Sequence, residues 1–291
     1  MFLRSEWSGL IPSEVLEKFY RNIFSLAQLF RIIDPNTFSH REFGFLLIRD
    51  NKEIFTRNKS FDVPEHLLQY VRAEIPQGIM IGGIYDPPPR GKSITQLKWL
   101  GHELIFDLDL TDYDDIRTCG KGKEHVCPKC WPLVRDAAIF IDETLREDFG
   151  FQKITWVFSG RRGLHAWITD PEVMALSEDA RDAVVEWISP QGEKLLRPFY
   201  WQERALRIFG GIESLDRINI TNIIAKKKIA EIGENVRKKL PRIDRQVTID
   251  INRLLRMPGS IHPATGRLVT IIKDLQTFYV DEVPTIYELV S

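Results

Sequence analysis

The chain has 291 residues, of which 43% are hydrophobic and 28% are charged, with 16 prolines and 18 glycines. These values fit one large or two modest globular domains, and they exclude a disordered chain, a collagen-like repeat and a small disulfide-stapled scaffold. The 40 Lys and Arg residues balance the 41 Asp and Glu residues to a formal net charge of −1. A protein that coats nucleic acid through its overall charge is strongly basic, so any contact with nucleic acid must come from local clusters.

The sequence shows no sign of a membrane or secreted protein. No apolar run approaches the roughly 18 residues that a membrane span requires. Residues 1–14 (MFLRSEWSGLIPSE) contain neither a long apolar stretch nor a small-residue cleavage site. Three cysteines are too few, and odd in number, for a disulfide framework. We therefore expect an intracellular protein without a membrane partner.

Hydrophobic patterning predicts helices and strands that together indicate an α/β or α+β fold. An amphipathic helix is predicted over residues 13–33, with Ser13 as its N-cap and Asp34-Pro35 as its stop. Strands are predicted at residues 43–48, 79–85 and 103–110, and a strand, tight turn and strand at 154–169. Further helices are predicted at residues 131–149, closed by Gly150, and at 177–188, beginning at Ser177. Residues 190–240 are expected to be helical and residues 242–266 to be rich in β-structure.

The segment FDLDLTDYDD (residues 106–115) combines an apolar strand with an acidic end. The continuous apolar character of residues 103–110 predicts a central strand. On a strand, Asp107 and Asp109 project from the same face, with Cα atoms about 7 Å apart. Two carboxylates held this way repel each other unless a divalent cation lies between them, and hard oxygen ligands suit Mg²⁺ or Mn²⁺. A solvated acidic turn is the alternative, but the apolar run before the pair favours a metal site.

All three cysteines of the chain lie close together, with a histidine between them. The four candidate ligands are Cys119, His125, Cys127 and Cys130. The CPKC ending lets two thiolates reach one ion, and four protein ligands complete a tetrahedron, which is typical of a structural zinc site. Free cysteines beside an unrelated histidine are the alternative.

The segment SGRRGLH (residues 159–165) places two arginines between two glycines in a turn. Backbone N–H groups and guanidinium groups in such a turn can bind phosphate oxygens, so Ser159, Arg161 and Arg162 are candidate phosphate ligands. Alternation puts His165 and Trp167 on one face of the following strand. A solvated hairpin tip is the alternative.

Three residues near the end of the chain are weaker candidates when taken alone. Asp244 could complete a carboxylate trio with Asp107 and Asp109, and Arg256 and His262 could add phosphate contacts. Each is also a common turn or loop residue.

Taken together, these segments resemble the small, catalytic subunit of the archaeal and eukaryotic type of DNA primase. The matching stretches occur in the family's order and are HREFGF (40–45), ELIFDLDLTDYDDIR (103–117), CPKCW (127–131), EDFGFQKITWVFSGRRGLHAWITD (147–170), PRID (241–244) and LLRMPGSIHPATGR (254–267). The resemblance implies a single primase catalytic domain over residues 1–291, with mixed β-sheets flanked by helices. It also implies a zinc-binding insertion at 117–131 and a small helical segment at 190–240.

The resemblance implies de novo synthesis of short primers on single-stranded DNA, by two-metal nucleotidyl transfer from NTPs or dNTPs with release of pyrophosphate. Its implied cofactors are structural Zn²⁺ and catalytic Mg²⁺ or Mn²⁺, and its implied partner is a large primase subunit. The expected location is the cytoplasm or nucleoid of an archaeal cell, or the nucleus of a eukaryotic one.

The resemblance also assigns roles to individual residues. Asp107, Asp109 and Asp244 match the family's metal-binding carboxylates. The residues that match its contacts to the incoming nucleotide's triphosphate are Ser159, Arg161, Arg162, His165, Arg256 and His262. Glu42 and Arg57 match positions that place the initiating nucleotide. Two features depart from eukaryotic relatives: the zinc ligands there are commonly four cysteines, and polar residues there replace Gly78 and Met80.

Other functions fit parts of the same pattern. A primase-polymerase that extends existing primers in repair would share the fold and the site. A zinc-bearing subunit that binds nucleic acid without catalysis would share the cysteines. DLDLT (residues 107–111) also satisfies the DxDx[TV] signature of aspartate-nucleophile phosphatases, although that signature normally lies near the N-terminus.

Overall fold

A computed structural model describes residues 10–189, 198–210 and 233–291 of the chain. Within these ranges the chain forms two antiparallel β-sheets flanked by helices, which confirms the predicted α+β class. None of the helices in the described ranges is long and apolar enough to cross a membrane.

The first sheet has the strand order β2-β1-β3-β4, and β8 also pairs with β3. Its strands are β1 (Arg41–Arg49), β2 (Lys52–Lys59), β3 (Gly78–Asp86), β4 (Lys98–Gly101) and β8 (Leu255–Arg256). The hairpin between β1 and β2 turns through Asp50 and Asn51, whose φ angles of 50° and 58° suit the short polar side chains found in tight hairpin turns. In the body of the sheet, Gly44 lies opposite Met80, and Met80 lies opposite Arg256.

The second sheet has the strand order β5-β7-β6-β9. Its strands are β5 (Leu104–Asp109), β6 (Ile154–Phe158), β7 (Gly163–Ile168) and β9 (Thr270–Ile271). The prediction that residues 103–110 form a central strand is wrong, because β5 lies at the edge of this sheet. Its apolar side chains are buried nonetheless, since Leu108 bridges to Ile243 along that edge and helix packing covers the sheet face.

Eight helical segments surround the sheets in the described ranges. They are α1 (Ser13–Asn22), α2 (Pro64–Glu74), α3 (Trp131–Asp148), α4 (Glu178–Ile188), α5 (Phe199–Gly210), α6 (residues 233–239), α7 (Arg245–Ile249) and α8 (Ile286–Val290). The start of α4 is as predicted, because the Ser177 hydroxyl accepts a hydrogen bond from the Ala180 N–H at 3.3 Å. The end of α3 is also as predicted, since Gly150 follows it with a φ of 76°.

One helix prediction and one β-structure prediction, near the two ends of the chain, are wrong. The helix predicted over residues 13–33 ends at Asn22, and Pro12 rather than Ser13 is its N-cap. The apolar residues beyond Asn22 keep a helical spacing, but they are buried by a bend and the short 3-10 turn Leu29–Arg31. Residues 242–266 hold α7 and only two residues of strand, because the Asp244 side chain caps a helix. Of the segment predicted to be helical over 190–240, residues 190–197 and 211–232 lie outside the described ranges.

The hydrophobic core has two parts, one on each face of the second sheet. Leu164 and Ala166 of β7 pack with α3, α4 and α5, whereas Trp167 packs with the first sheet, α1 and α2. A buried ion pair between Arg41 of β1 and Glu103, immediately before β5, links the two sheets. This packing fixes the end of β5 relative to the first sheet.

Candidate active site

The acidic pair lies at the end of β5, where that strand meets β7. Asp107 is directly opposite His165, and Asp109 is directly opposite Gly163. Because side chains alternate along a strand, the carboxylates of Asp107 and Asp109 project from the same face.

Asp244 lies beside this pair along the free edge of β5. Its backbone N–H donates to the Asp107 carbonyl at 3.1 Å, so the two residues are held together by the main chain. One of its carboxylate oxygens accepts from the N–H groups of Gln246 and Val247 and so caps α7. The three aspartates line a cleft of about 430 Å³ whose other lining residues are Thr111, Asp112, Arg242, Ile243, Arg245 and Gln246.

The cleft concentrates negative charge that its arginines neutralise only in part. Burial, followed by repulsion from Asp109, Asp244 and Asp112, raises the pKa of Asp107 to about 7. Burial and the same neighbours also raise the pKa of Asp112. Carboxylate oxygens crowded in this way are the donor set that Mg²⁺ or Mn²⁺ takes, so the residues present fit a divalent cation. Their oxygens are more widely spaced than the ligand atoms of the cysteine cluster described below.

The turn between β6 and β7 packs tightly against the acidic pair and against the loop that contains His262. A Cβ atom on Gly163 would lie 2.6 Å from the Leu108 carbonyl oxygen, and one on Gly160 would lie 2.5 Å from the Cβ of His262. Gly160 also has a φ of 92°, which favours glycine. The Ser159 hydroxyl accepts a hydrogen bond from the Gly163 N–H at 3.2 Å, closing the turn. Both glycines are therefore required for the close approach of these segments.

Both arginines of this turn pair with carboxylates. The Arg162 Nε donates to Asp109 Oδ1 at 2.7 Å, and Arg161 forms an ion pair with Glu124 of the cysteine-rich loop. The turn thus bridges the acidic cleft on one side and the cysteine-rich loop on the other.

A buried cationic pocket lies behind the acidic pair and contains His165, Arg256 and His262. The His165 Nε2 lies 3.4 Å from Asp107 Oδ1. Burial and the nearby Arg256 lower the pKa of His165 to about 3. Burial, Arg256 and the two turn arginines lower the pKa of His262 to about 2. Both imidazoles are therefore neutral at pH 7, whereas Arg256, whose pKa burial lowers to about 10, keeps its charge.

Two polar atoms of this pocket are left without partners. His165 Nδ1 and Arg256 Nε are buried and form no hydrogen bond within the described ranges. Buried polar groups usually have a partner, so unpaired atoms beside Arg161 and Arg162 fit a pocket that receives an anionic ligand.

Glu42 and Arg57 form a pair on the first sheet. The guanidinium donates to both carboxylate oxygens of Glu42, at 2.8 and 3.0 Å, and to the Asn252 carbonyl at 2.9 Å. The hydrogen bond to Glu42 raises the pKa of Arg57, and Glu42 itself is fully buried. The structure thus brings together the two residues that the sequence associates with placing an initiating nucleotide.

The cysteine-rich loop forms a compact ligand set. In the part of the chain that the structure describes, it is the one group of at least three possible metal ligands whose donor atoms all lie within 4.8 Å of one another: Cys119, His125, Cys127 and Cys130. The sulfurs of Cys127 and Cys130 are 3.6 Å apart, and His125 Nε2 is buried without a hydrogen-bond partner. Four soft ligands at this spacing fit a tetrahedral zinc ion.

Sequence reasoning did not single out three residues that contact the site. The N–H and hydroxyl of Thr111 donate to Asp109 Oδ1 at 2.8 and 2.7 Å, and Asp112 adds a fourth carboxylate to the cleft. Thr111 and Asp112 both lie inside the acidic segment 106–115, and that segment is the sequence feature that could have pointed to them. Glu124, the partner of Arg161, stands in a charged loop that offers no such signal.

Comparison with known proteins matches the chain to one family of proteins. A family model described as "DNA primase small subunit" matches residues 106–274. The DNA primase small subunit of Schizosaccharomyces pombe is 30% identical, over 97% of this chain and 78% of the yeast protein. The Drosophila melanogaster subunit is also 30% identical, over 96% of this chain and 81% of its own. The archaeal subunit PriS of Thermococcus sibiricus is 30% identical, over 87% of this chain and 86% of its own.

A solved structure supports the fold independently of sequence. The polymerase domain of Mycobacterium tuberculosis Ligase D, in complex with DNA, superimposes with a TM-score of 0.51 at 12% sequence identity. The match covers 96% of this chain and 87% of that domain. At this identity the likeness concerns the fold.

Proposed function

Because the chain belongs to the DNA primase small subunit family, we propose that it synthesises short primers de novo on a single-stranded DNA template, from NTPs or dNTPs, with release of pyrophosphate. One observation carries the proposal: an acidic cleft and a buried cationic pocket meet at the end of β5, where Asp107 lies opposite His165. The first supplies ligands for cations, and the second supplies donors for a triphosphate.

The acidic cleft would hold the catalytic metals. Asp107, Asp109 and Asp244 are the proposed ligands, and two bound Mg²⁺ or Mn²⁺ ions would activate the attacking 3′-hydroxyl and stabilise the departing pyrophosphate. The raised pKa of Asp107 reflects burial first and then the negative charge of Asp109, Asp244 and Asp112, and a bound cation would neutralise that charge.

The cationic pocket would bind the triphosphate. Arg256 and the two turn arginines provide positive charge, while the neutral imidazoles of His165 and His262 can each donate one hydrogen bond. The Gly163 N–H donates a hydrogen bond to the Ser159 hydroxyl and closes the turn, which fixes the backbone positions of Arg161 and Arg162. The protein's contribution to the rate would be positioning and charge stabilisation rather than covalent chemistry.

The same proposal covers the organisation of the chain and its partners. We propose a single catalytic domain over residues 1–291, with a structural zinc loop at 117–131 that reaches the catalytic turn through the Glu124–Arg161 pair. The proposed domain includes residues 190–240, of which 190–197 and 211–232 lie outside the described ranges. A large primase subunit is the proposed partner, Glu42 and Arg57 place the initiating nucleotide, and the protein acts inside the cell.

A synthesis assay on single-stranded DNA tests this function. The wild type should make short products from NTPs or dNTPs with Mg²⁺ or Mn²⁺, and Asp109→Ala should make none while remaining folded by circular dichroism. Asp62→Ala is a matched control, since Asp62 is an exposed carboxylate paired with Arg90 away from the cleft. Equal product from wild type and Asp109→Ala would contradict the proposed chemistry.

The second candidate, extension of existing primers in repair, uses the same residues. It would be favoured if product formed only after a primer was added. A folded, zinc-loaded protein that is silent in both assays would favour the non-catalytic alternative. The family match includes the DLDLT segment, which argues against the phosphatase alternative.

A further inference from the structure

An exposed aromatic side chain stands on the edge strand of the first sheet. Phe55 of β2 is 49% exposed, and it belongs to neither part of the hydrophobic core. Its neighbour Ile54, 42% exposed, projects from the opposite face of the same strand. Packing in the hydrophobic core therefore does not account for a phenylalanine at position 55. The face of the sheet on which Phe55 lies decides what its ring can contact.

Strand register places Phe55 on the face that carries Arg256. Phe55 lies opposite Leu46 of β1, two residues from Gly44 and therefore on the same face as Gly44. Gly44 lies opposite Met80, and Met80 lies opposite Arg256. With neighbouring strands about 4.8 Å apart, the backbones of Phe55 and Arg256 are separated by about 15 Å. The ring thus shares a surface with the proposed triphosphate pocket.

The position of the ring is fixed by a glycine beneath it. A Cβ atom on Gly44 would lie 3.0 Å from Phe55 Cζ and 2.8 Å from Leu254 Cδ1. The Phe55 ring and the Leu254 side chain therefore lie over the Gly44 backbone. The half of the ring that is not in contact with the protein faces solvent.

Two arginines belong to the chain segments that carry the ring and Leu254. Arg57, two residues along β2, lies on the same face as Phe55, and its guanidinium is held by Glu42 and the Asn252 carbonyl. Arg253, beside Leu254, is exposed and has no ion pair with any described residue. An exposed aromatic ring on a surface that also carries arginines is the arrangement on which single-stranded nucleic acids stack their bases.

We propose that Phe55 is a stacking platform for a nucleobase on the cleft side of the first sheet. The proposal deepens the proposed function and rests on it. The base belongs either to the template strand or to the initiating nucleotide, and both offer the same planar π-surface to the ring. Arg57 and Arg253 are the proposed contacts to the phosphates next to that base.

Binding measurements without nucleotide test the platform independently of catalysis. Fluorescence anisotropy would compare an oligo-dT of about 16 nucleotides with an abasic oligonucleotide of the same length, which has the same charge but no bases. If the base is the template's, Phe55→Ala should weaken oligo-dT binding about tenfold and remove the preference over the abasic strand. Phe55→Trp should restore both. Ile54→Ala, on the opposite face, and Tyr200→Ala, an exposed aromatic on α5, should behave as wild type.

Synthesis kinetics distinguish the two sources of the base. If the base is the initiating nucleotide's, Phe55→Ala raises its KM about tenfold in de novo synthesis and leaves the KM for primer extension unchanged. If the base is the template's, the loss appears in the binding assay. The proposal is overturned if Phe55→Ala matches Ile54→Ala in every assay, or if Phe55→Leu restores what Phe55→Ala loses. A failure of the proposed function would appear separately, as a wild type without synthesis.

Discussion

Arg162 and Asp109 form an ion pair of 2.7 Å that joins the turn after β6 to the end of β5. A single contact thus couples a candidate triphosphate ligand to a candidate metal ligand. Asp109 also accepts two hydrogen bonds from Thr111, so its carboxylate is held in one orientation before any ligand arrives. We infer that Arg162 both binds phosphate and holds the acidic pair in place.

Arg162→Ala should raise the KM for the incoming nucleotide about tenfold, because it removes charge-assisted hydrogen bonds to the triphosphate. The turnover number should fall less, since the metal ligands remain. Arg162→Lys should be intermediate, as lysine keeps the charge without the planar fork. Steady-state synthesis over a range of nucleotide concentrations measures this. Arg146→Ala, which removes an α3 arginine paired with Asp142, is the control, and an unchanged KM in Arg162→Ala would contradict the role.

Asp107→Asn should abolish synthesis without destabilising the unliganded protein. The substitution removes one negative charge from a cluster in which Asp109, Asp244 and Asp112 repel Asp107. The Tm without metal should therefore equal or exceed that of the wild type, whereas the rise in Tm on adding Mg²⁺ or Mn²⁺ should be lost. Thermal denaturation with and without each ion makes the comparison. A lower Tm in the absence of metal would show that Asp107 stabilises the fold itself.

Removal of the proposed zinc ion should perturb the turn between β6 and β7 as well as the cysteine-rich loop. Arg117 donates to the Asp114 carboxylate and to the His125 carbonyl, and Glu124 pairs with Arg161, so the loop and the site share contacts. Cys130→Ser should lose zinc by metal analysis, lower the Tm and raise the KM for nucleotide, since structural zinc contributes on the order of 10 kcal/mol of folding free energy. His125→Cys, which supplies a fourth thiolate, should retain zinc and activity. Full activity in a zinc-free Cys130→Ser protein would contradict the coupling.

Much of the site was predictable because its chemistry lies in short segments. Residues 106–115 and 159–165 each place their functional groups on a strand or a turn whose local geometry follows from alternation and glycine. The proximity of Asp244 to Asp107 was not predictable from spacing, because it depends on a backbone contact across more than a hundred residues. The edge position of β5 could not be predicted from its own residues either. A strand covered by a loop and helices is as apolar as a central one.

Local pattern was misleading where packing decided the structure. Residues 23–33 keep a helical spacing of apolar side chains, yet the chain bends after Asn22 and buries Phe24 and Leu29 without a continuous helix. Periodicity reports which side chains are buried, and an irregular segment can bury the same set. The sequence also gives no indication that Arg41 and Glu103 form an ion pair, since neither residue lies in a motif that associates it with the other sheet.

That buried pair predicts how stability depends on pH. Although burial opposes ionisation, the charge and hydrogen bonds of Arg41 hold the pKa of Glu103 at about 2, below its ordinary value of about 4.5. The stabilisation is therefore complete above about pH 4.5, and it is lost as the pH falls through 2. Glu103→Gln should lower the free energy of unfolding at pH 7 by about 3–5 kcal/mol, because it leaves Arg41 buried without a counter-charge. Its unfolding free energy should also change less than that of the wild type between pH 4.5 and 2.

The control for this prediction is Glu74→Gln, which removes the partner of the exposed Arg49 and should lower the free energy of unfolding by no more than about 1 kcal/mol. Urea denaturation at a series of pH values measures all three proteins, and parallel pH profiles for wild type and Glu103→Gln would refute the assignment.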